Sequence, residues 1–271
     1  MNEFKWQGYK NAIETEFSIV DKEGKVVNFI LNKPQEHFLE HITGRDYVLK
    51  ARQQGFSALI LAVGAVKFIY GENERCVSIS HEAQATQRLL DRVKYYISSH
   101  EKRHEGYKVA LKYNSRSELV NAQNNSTFYI GTAGSREFGR GDTISFLHMS
   151  ELNFYPDPEK LLAGIMQAVT PNGLVFIETT ANGFNFGKDF WDRTLVGETG
   201  FKGHFYNPSW TYTQEYLDMK KKELGRLYPQ EYPSSPEEAF LTSGQLFFSN
   251  EALKKYLTET REVLREGLIY V

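Results

Sequence analysis

Apolar residues fall along this chain in short dense runs divided by polar turns, and the period of the runs changes from one to the next. Asp46-Tyr47-Val48-Leu49-Lys50 is strand-length and apolar at its centre, and it closes in the polar stretch Ala51-Arg52-Gln53-Gln54. Ser57 to Tyr70 is apolar enough for a buried helix, and Arg75 to Ser80 is a short β-type run. Ala83 to His100 sets Leu89, Val93, Tyr96 and Ile97 on one stripe, the pattern of an amphipathic helix. Strand, helix, strand and helix at this spacing predict right-handed crossovers and a mainly parallel sheet. Ahead of them, Glu16 to Val20 and Val26 to Leu31 alternate around Asp21 to Lys25, which predicts a hairpin. Lys33-Pro34-Gln35 then opens a short helix over Glu36 to Ile42, since proline is tolerated at a helix start.

The character changes over residues 107–130. Tyr107 to Leu111, Glu118 to Val120 and Thr127 to Ile130 are short extended runs, with a turn at Asn124-Asn125-Ser126. They predict antiparallel strands at the sheet edge. A glycine-rich loop, Gly131 to Gly141, carries Arg136 and Arg140 and leads to a strand, Thr143 to Met149, that ends in Ser150-Glu151. A helix over Pro158 to Met166 precedes a buried strand, Leu174 to Glu178, ending in Thr179-Thr180-Ala181-Asn182-Gly183. Beyond residue 205 the chain is rich in proline turns and charged helices, over Gln214 to Leu227, Glu237 to Leu241 and Ser249 to Arg265. The expected division is a core over residues 1–205 and a small helical lid over 206–271.

Composition narrows the class. The 271 residues are 41% hydrophobic and 24% charged, as in a folded globular protein. One cysteine, Cys76, excludes an internal disulfide framework and any zinc site built from several cysteines. No apolar run approaches the roughly 18 residues of a bilayer span. A formal net charge of −2 means that contact with DNA must be local, weak or shared among subunits. The 19 Phe and 16 Tyr are read first as core packing rather than base-stacking platforms, and Lys220-Lys221-Lys222 as a solvated helix face rather than a phosphate contact.

Three predicted strand ends deliver polar groups to one sheet edge, where open α/β sheets bind ligands. The first, Lys50 to Ser57, has the strand–loop–helix layout of a phosphate-binding loop. On the pattern G-x-x-x-x-G-K-[ST], Gly55 and Ser57 match, but Lys50 stands in place of the first glycine and Phe56 in place of the lysine. Gln53 and Gln54 fill the loop. Hydrolysis of a nucleoside triphosphate needs a phosphate cradle, a metal ligand, a group that orients water and positive charge. Gly55 lets backbone approach phosphate, and Ser57 Oγ is a candidate Mg²⁺ ligand. Lys50 or Arg52 supplies the cation that Phe56 cannot. Glu151, ending an apolar strand, is placed to activate water and to hold the metal, directly or through water. Arg140 is placed to reach a phosphate on a neighbouring subunit. Gln35, just ahead of the loop, is either an adenine reader or a helix-capping glutamine.

In this order and spacing, the motifs from about Gln35 to Phe248 resemble the ATPase domain of the large terminase subunit, the motor that packages DNA into tailed-phage capsids. The resemblance implies a RecA-like P-loop NTPase of the ASCE type that uses ATP and Mg²⁺. It implies an arginine-containing nucleotide loop (Lys50, Arg52), an arginine finger acting in trans at Arg140-Gly141, and an acidic strand end at Ser150-Glu151. Thr179, Thr180 and Asn182 correspond to the coupling motif, and Ser235 to Phe240 through Gly244 to Phe248 to the segment that closes the ATPase half. The implied partners are double-stranded DNA, a portal protein, a small terminase subunit and further copies in a ring, with no membrane, in the cytoplasm of an infected bacterium. Family proteins continue into an RNase H-like nuclease, and Leu268 to Val271 fall where it would begin. The expectation is therefore a fragment without nuclease activity. Two other readings stand beside this one: a helicase-like or remodelling ATPase on the same core, and a degenerate nucleotide-binding docking module.

Overall fold

The computed structural model describes residues 3–134, 143–242, 255, 256 and 259. Before the expected hairpin stands a helix the apolar pattern did not disclose, α1 (Glu3–Glu16). Among its described side chains, Trp6, Tyr9 and Ile13 are buried, too sparse a stripe to stand out. The hairpin pairs β1 (Ser18–Val20) with β2 (Val26–Asn28). Then come α2 (Lys33–His41), β3 (Arg45–Lys50), α3 (Phe56–Tyr70), β4 (Arg75–Ser80) and α4 (Ala83–Arg103), close to the predicted bounds. The edge strands are β5 (Leu111–Asn114), β6 (Glu118–Asn121) and β7 (Ser126–Thr132). The first lies later than the run Tyr107 to Leu111 suggested. After them follow β8 (Ile144–Ser150), α5 (Pro158–Met166), β9 (Val169–Thr179), α6 (Phe186–Leu195) and β10 (Lys202–Tyr206). Neither α6 nor β10 was foreseen. In β10 the residues Lys202, Gly203 and His204 mask the strand; His204 is held inside the edge by a 2.8 Å hydrogen bond to buried Asp46.

Eight strands share one sheet in the order β10-β3-β9-β8-β4-β7-β6-β5. The first six run parallel, and β6 and β5 are antiparallel additions at one edge. Both faces are covered, so the central strands are apolar throughout and their alternate residues feed two cores. Val48, Cys76, Phe146 and Phe176 face α1 to α4, whereas Tyr47, Val77, Leu147 and Ile177 face α5 and α6. This is a mainly parallel, helix-flanked α/β sheet, with β9 inserted between β3 and β8. That insertion decides which side chains meet at the site.

After β10 the chain forms a single 3₁₀ turn at Pro208–Trp210, then α7 (Gln214–Leu224), α8 (Tyr228–Glu231) and α9 (Pro236–Thr242). The helix expected to reach Leu227 ends at Leu224 because Gly225 turns to positive φ, breaking the α ladder into a 3₁₀ turn. Stacked Tyr212 and Tyr216, with Tyr232 edge-on to Tyr212, tie these pieces together, and Phe240 of α9 is fully buried. The expected segments Gly244 to Phe248 and Ser249 to Arg265 lie outside the described residues, apart from Lys255, Tyr256 and Glu259.

Candidate active site

Parallel register brings the carboxyl ends of three neighbouring strands level. Ser150 of β8 pairs with Glu178 of β9, and Leu49 of β3 pairs with Thr179 of β9. Lys50, Glu151 and Thr180 therefore emerge side by side, and with Arg52, Gln53, His81 and Phe154 they line a cleft of about 350 Å³. A cavity of about 410 Å³ elsewhere is lined by α1 and α2 residues alone and receives no strand end.

The loop from Ala51 to Gly55 turns sharply, with Gln53 at φ 59° and Gly55 at φ 82°. Both are left-handed, which glycine adopts without strain. A Cβ on Gly55 would also stand 2.7 Å from Gln35 Nε2. Gln35 is the reason for that closeness. Its Oε1 accepts from Asn32 N–H in the capping box of α2, and its Nε2 donates to the Gly55 carbonyl at 2.8 Å. Asn32 Nδ2 donates to the Gln54 carbonyl, and Gln54 Nε2 donates to the Asn207 carbonyl at 2.9 Å. From the segment after β10 the Tyr212 hydroxyl donates to the carbonyls of Arg52 and Gln53. The loop's carbonyls are thus tied back on both flanks. No side chain caps α3, which leaves the first-turn N–H groups of a 15-residue helix as an anion-binding end.

Beneath the loop lies a fully buried carboxylate, Glu178. Its Oε1 accepts from Ser57 Oγ and Ser150 Oγ, each at 2.7 Å, with His148 Nε2 at 3.4 Å; its Oε2 is 3.0 Å from Lys50 Nζ. Ser78 lies 2.9 Å from His148 Nδ1, so the imidazole bridges a hydroxyl and the carboxylate. Burial alone would raise the Glu178 pKa, but Lys50, with His148 and Ser150, holds it well below the usual carboxylate range. Burial alone would likewise discharge Lys50, but Glu151 at 3.1 Å and Glu178 hold its ammonium above the ordinary lysine value. Two carboxylates thus face one lysine at the cleft floor.

Glu151 has a left-handed backbone at φ 60°, strained for a non-glycine residue. Its N–H donates to the Glu178 carbonyl at 2.7 Å. Its Oε2 accepts from both the N–H and the hydroxyl of Thr180, at 3.0 and 3.2 Å, while Oε1 takes Lys50. Behind it Asn153 knots two strand ends together. Asn153 N–H donates to Thr179 Oγ1 and its amide to the Thr180 carbonyl, and its own carbonyl accepts from Asn182 and Asn185. Gly187 passes so close that a Cβ there would fall 1.5 Å from Asn153 Oδ1.

The expected residues therefore separate. Lys50, Arg52, Gln53, Glu151 and Thr180 line one cleft, while Gly55 and Ser57 are not among its lining residues. Phe56 needs a correction: its side chain is core, 1% exposed and packed against Phe38 and Tyr206, so only its backbone belongs to the loop. Gln35 and Gln54 use their amides to brace the loop, and Thr179 and Asn182 brace the Asn153 turn. Ser57 meets Glu178 rather than Glu151. Arg52 is exposed and pairs with Glu231 of α8 at 2.7 Å. Arg140 lies outside the described residues. Glu178 and His148 were missed. The signal for Glu178 was present, because it ends an apolar strand just as Glu151 does.

Neither a protein-family model nor a curated protein matches the sequence. Solved structures do. The large terminase ATPase domain of Thermus phage P74-26 superposes with TM-score 0.60 at 17% identity, over 73% of this chain and 90% of that one. The HK97 bacteriophage large terminase gives TM-score 0.63 at 16% identity, over 94% of this chain and 53% of that one. This chain has the fold of a large-terminase ATPase domain. A third neighbour, the large terminase of a thermophilic bacteriophage in complex with ATP-gamma-S, matches at TM-score 0.51 and 12% identity, over 68% of this chain and 46% of that one. The chain spans about half the length of these last two large terminases. In the terminase-type fold seen here, β3 carries the nucleotide-loop candidate and β8 the acidic strand end, with β9 between them.

Proposed function

We propose that this chain is the ATP-hydrolysing motor domain of a viral large terminase, which powers translocation of double-stranded DNA into a procapsid. One observation carries the reading: in a fold of the terminase type, an uncapped helix N-terminus, Ser57, and a lysine shared by two carboxylates converge at one sheet edge. The thermophilic-phage neighbour in complex with ATP-gamma-S supports a nucleoside triphosphate as the ligand.

The ion pairs support different duties for the two loop cations. Among the described residues the Arg52 guanidinium is held by a surface ion pair with Glu231, and such pairs are worth about 0–1 kcal/mol. A phosphate can displace Glu231 at little cost, and the arginine fork suits phosphate oxygens. Pulling Lys50 away would strand buried Glu178, a cost of several kcal/mol. Arg52 is therefore the phosphate-binding cation, and Lys50 is the fixed charge that anchors Glu151. Ser57 Oγ with two carboxylates is a hard-oxygen donor set, which fits Mg²⁺. Ser57 would hold the ion directly, and Glu151 and Glu178 through water. Bound Mg²⁺ supplies positive charge to the phosphate oxygens.

Glu151, with Oε2 fixed by Thr180, orients the attacking water and accepts its proton. The Glu151–Thr180 contact continues through Asn153 to Thr179, Asn182 and α6, a route from the phosphate end of the cleft to the opposite face of the sheet. Arg140 completes the charge on a neighbouring subunit's nucleotide. The assembly this requires is a ring on a portal protein, loaded by a small terminase subunit in the infected cell's cytoplasm.

The test is ATP hydrolysis measured against chain concentration, with and without double-stranded DNA. Specific activity that rises with concentration supports shared sites. Nucleotide binding without hydrolysis at every concentration would overturn the motor and favour the docking module.

A further inference from the structure

Three helices end together far from the cleft. Glu16 is the last residue of α1, Tyr70 the last of α3, and His104 caps α4. Since α3 starts at the nucleotide loop, this point lies roughly 20 Å from it, at 1.5 Å per residue. Helix C-termini carry partial negative charge, so their meeting favours a cation. His100 and His104, four residues apart, share one face of α4. His100 Nδ1 is 2.9 Å and His104 Nε2 is 2.6 Å from the same oxygen, Glu16 Oε2, and the Tyr70 hydroxyl is 3.3 Å from His100 Nδ1. Among the described residues this is the one group of His, Cys, Asp and Glu whose three ligand atoms lie within 4.8 Å of one another. Tyr107 stands edge-on to both imidazoles and walls one side. The neighbouring cations point elsewhere: Arg103 binds Ser18, Asn28 and the Phe17 carbonyl, and Lys108 pairs with Glu101.

We propose that Glu16, His100 and His104 form a binding site for a divalent transition-metal ion of the zinc class. Two imidazoles and one carboxylate are a zinc-type donor set with a fourth position left for water, and imidazole selects against Mg²⁺ and Ca²⁺. Ligand bonds of about 2.0–2.1 Å in a tetrahedron set ligand atoms roughly 3.3 Å apart, so the group must spread by about half an ångström. Exposed His104 and half-buried Glu16, whose Oε1 has only a 3.4 Å contact with the Thr15 hydroxyl, have that freedom. The ion would clip α1 to α4 and fasten the N-terminal helix to the ATPase core. The site is independent of the nucleotide cleft.

The test uses the full chain without a histidine tag, stripped with chelator and titrated with Zn²⁺ by calorimetry in excess Mg²⁺. Co²⁺ titration followed by visible d–d absorption reports the ligand field. The expected result is one equivalent of Zn²⁺, a rise in melting temperature on binding, and a Co²⁺ spectrum of four- or five-coordinate intensity. His104→Gln, at an exposed helix end, should weaken binding at least tenfold. His41→Gln should leave it intact; His41 belongs to the other histidine pair at this spacing, with His37 on α2. No stoichiometric binding, or a site lost with His41→Gln and kept in His104→Gln, would overturn the proposal.

Discussion

Glu178→Gln removes the carboxylate that the cleft floor depends on while keeping its volume. Glu178 is fully buried and meets Ser57, Ser150, His148 and Lys50 at 2.7, 2.7, 3.4 and 3.0 Å. All four are donors, and a glutamine amide accepts through one atom only, so its NH₂ must face at least one of them. Removing one partner of a buried ion pair costs about 3–5 kcal/mol. Lys50 keeps Glu151 at 3.1 Å, which argues for the lower end, about 3 kcal/mol. For a domain of this size that is a melting-temperature drop of roughly 6–12 °C. Urea unfolding followed by circular dichroism measures it. The sign of the pH dependence follows from the lowered carboxyl pKa of the folded state. The stabilisation is complete above the unfolded glutamate value of about 4.3 and fades as pH falls toward the lower folded value. The gap between wild type and Glu178→Gln should hold from pH 7 to 5, then narrow by up to about 1.4 kcal/mol per pH unit. A gap under about 0.5 kcal/mol at pH 7, the size expected of a surface change, would refute the role given to Glu178.

Two further substitutions probe the loop. Phe56→Lys restores the residue common in phosphate loops, yet it puts an ammonium between Phe38 and Tyr206. It should cost at least about 3 kcal/mol and bring no gain in nucleotide affinity, as read by thermal unfolding and fluorescent-nucleotide titration. A stable variant that binds more tightly would contradict the core placement. Glu231→Ala frees Arg52, and nucleotide affinity should rise a few-fold while stability shifts by under about 1 kcal/mol. Unchanged affinity would remove Arg52 from phosphate binding.

The parallel core was legible because a sheet covered on both faces needs dense apolar strands, and β3, β4 and β8 announce themselves that way. α1 and β10 were not, since their stability comes from tertiary contact: α1 buries Trp6, Tyr9 and Ile13 against the core, and β10 hides His204 by pairing it with Asp46. At the site, strand ends and loop were readable as positions, and Glu151 and Lys50, singled out by them, line one cleft. Their partnership was not readable, because it depends on β9 lying between β3 and β8, an order that pattern along one chain does not carry. For the same reason Glu178 passed as a strand residue, and Gln35 and Gln54 could be placed near the loop without revealing that their amides brace it. Phe56 stood out as a departure from a motif; its packing against Phe38 and Tyr206 gives the reason.

The most direct test of the motor reading is phosphate release by wild type and Glu151→Gln, with nucleotide affinity measured on the same samples. Glu151 meets Lys50 and Thr180 at the cleft, and the isosteric amide keeps that shape while losing the base. Wild type should turn over in a Mg²⁺-dependent way, and Glu151→Gln should bind nucleotide within a few-fold of wild type with turnover lower by about 10²–10⁴-fold. Equal turnover by the two proteins would contradict the motor reading.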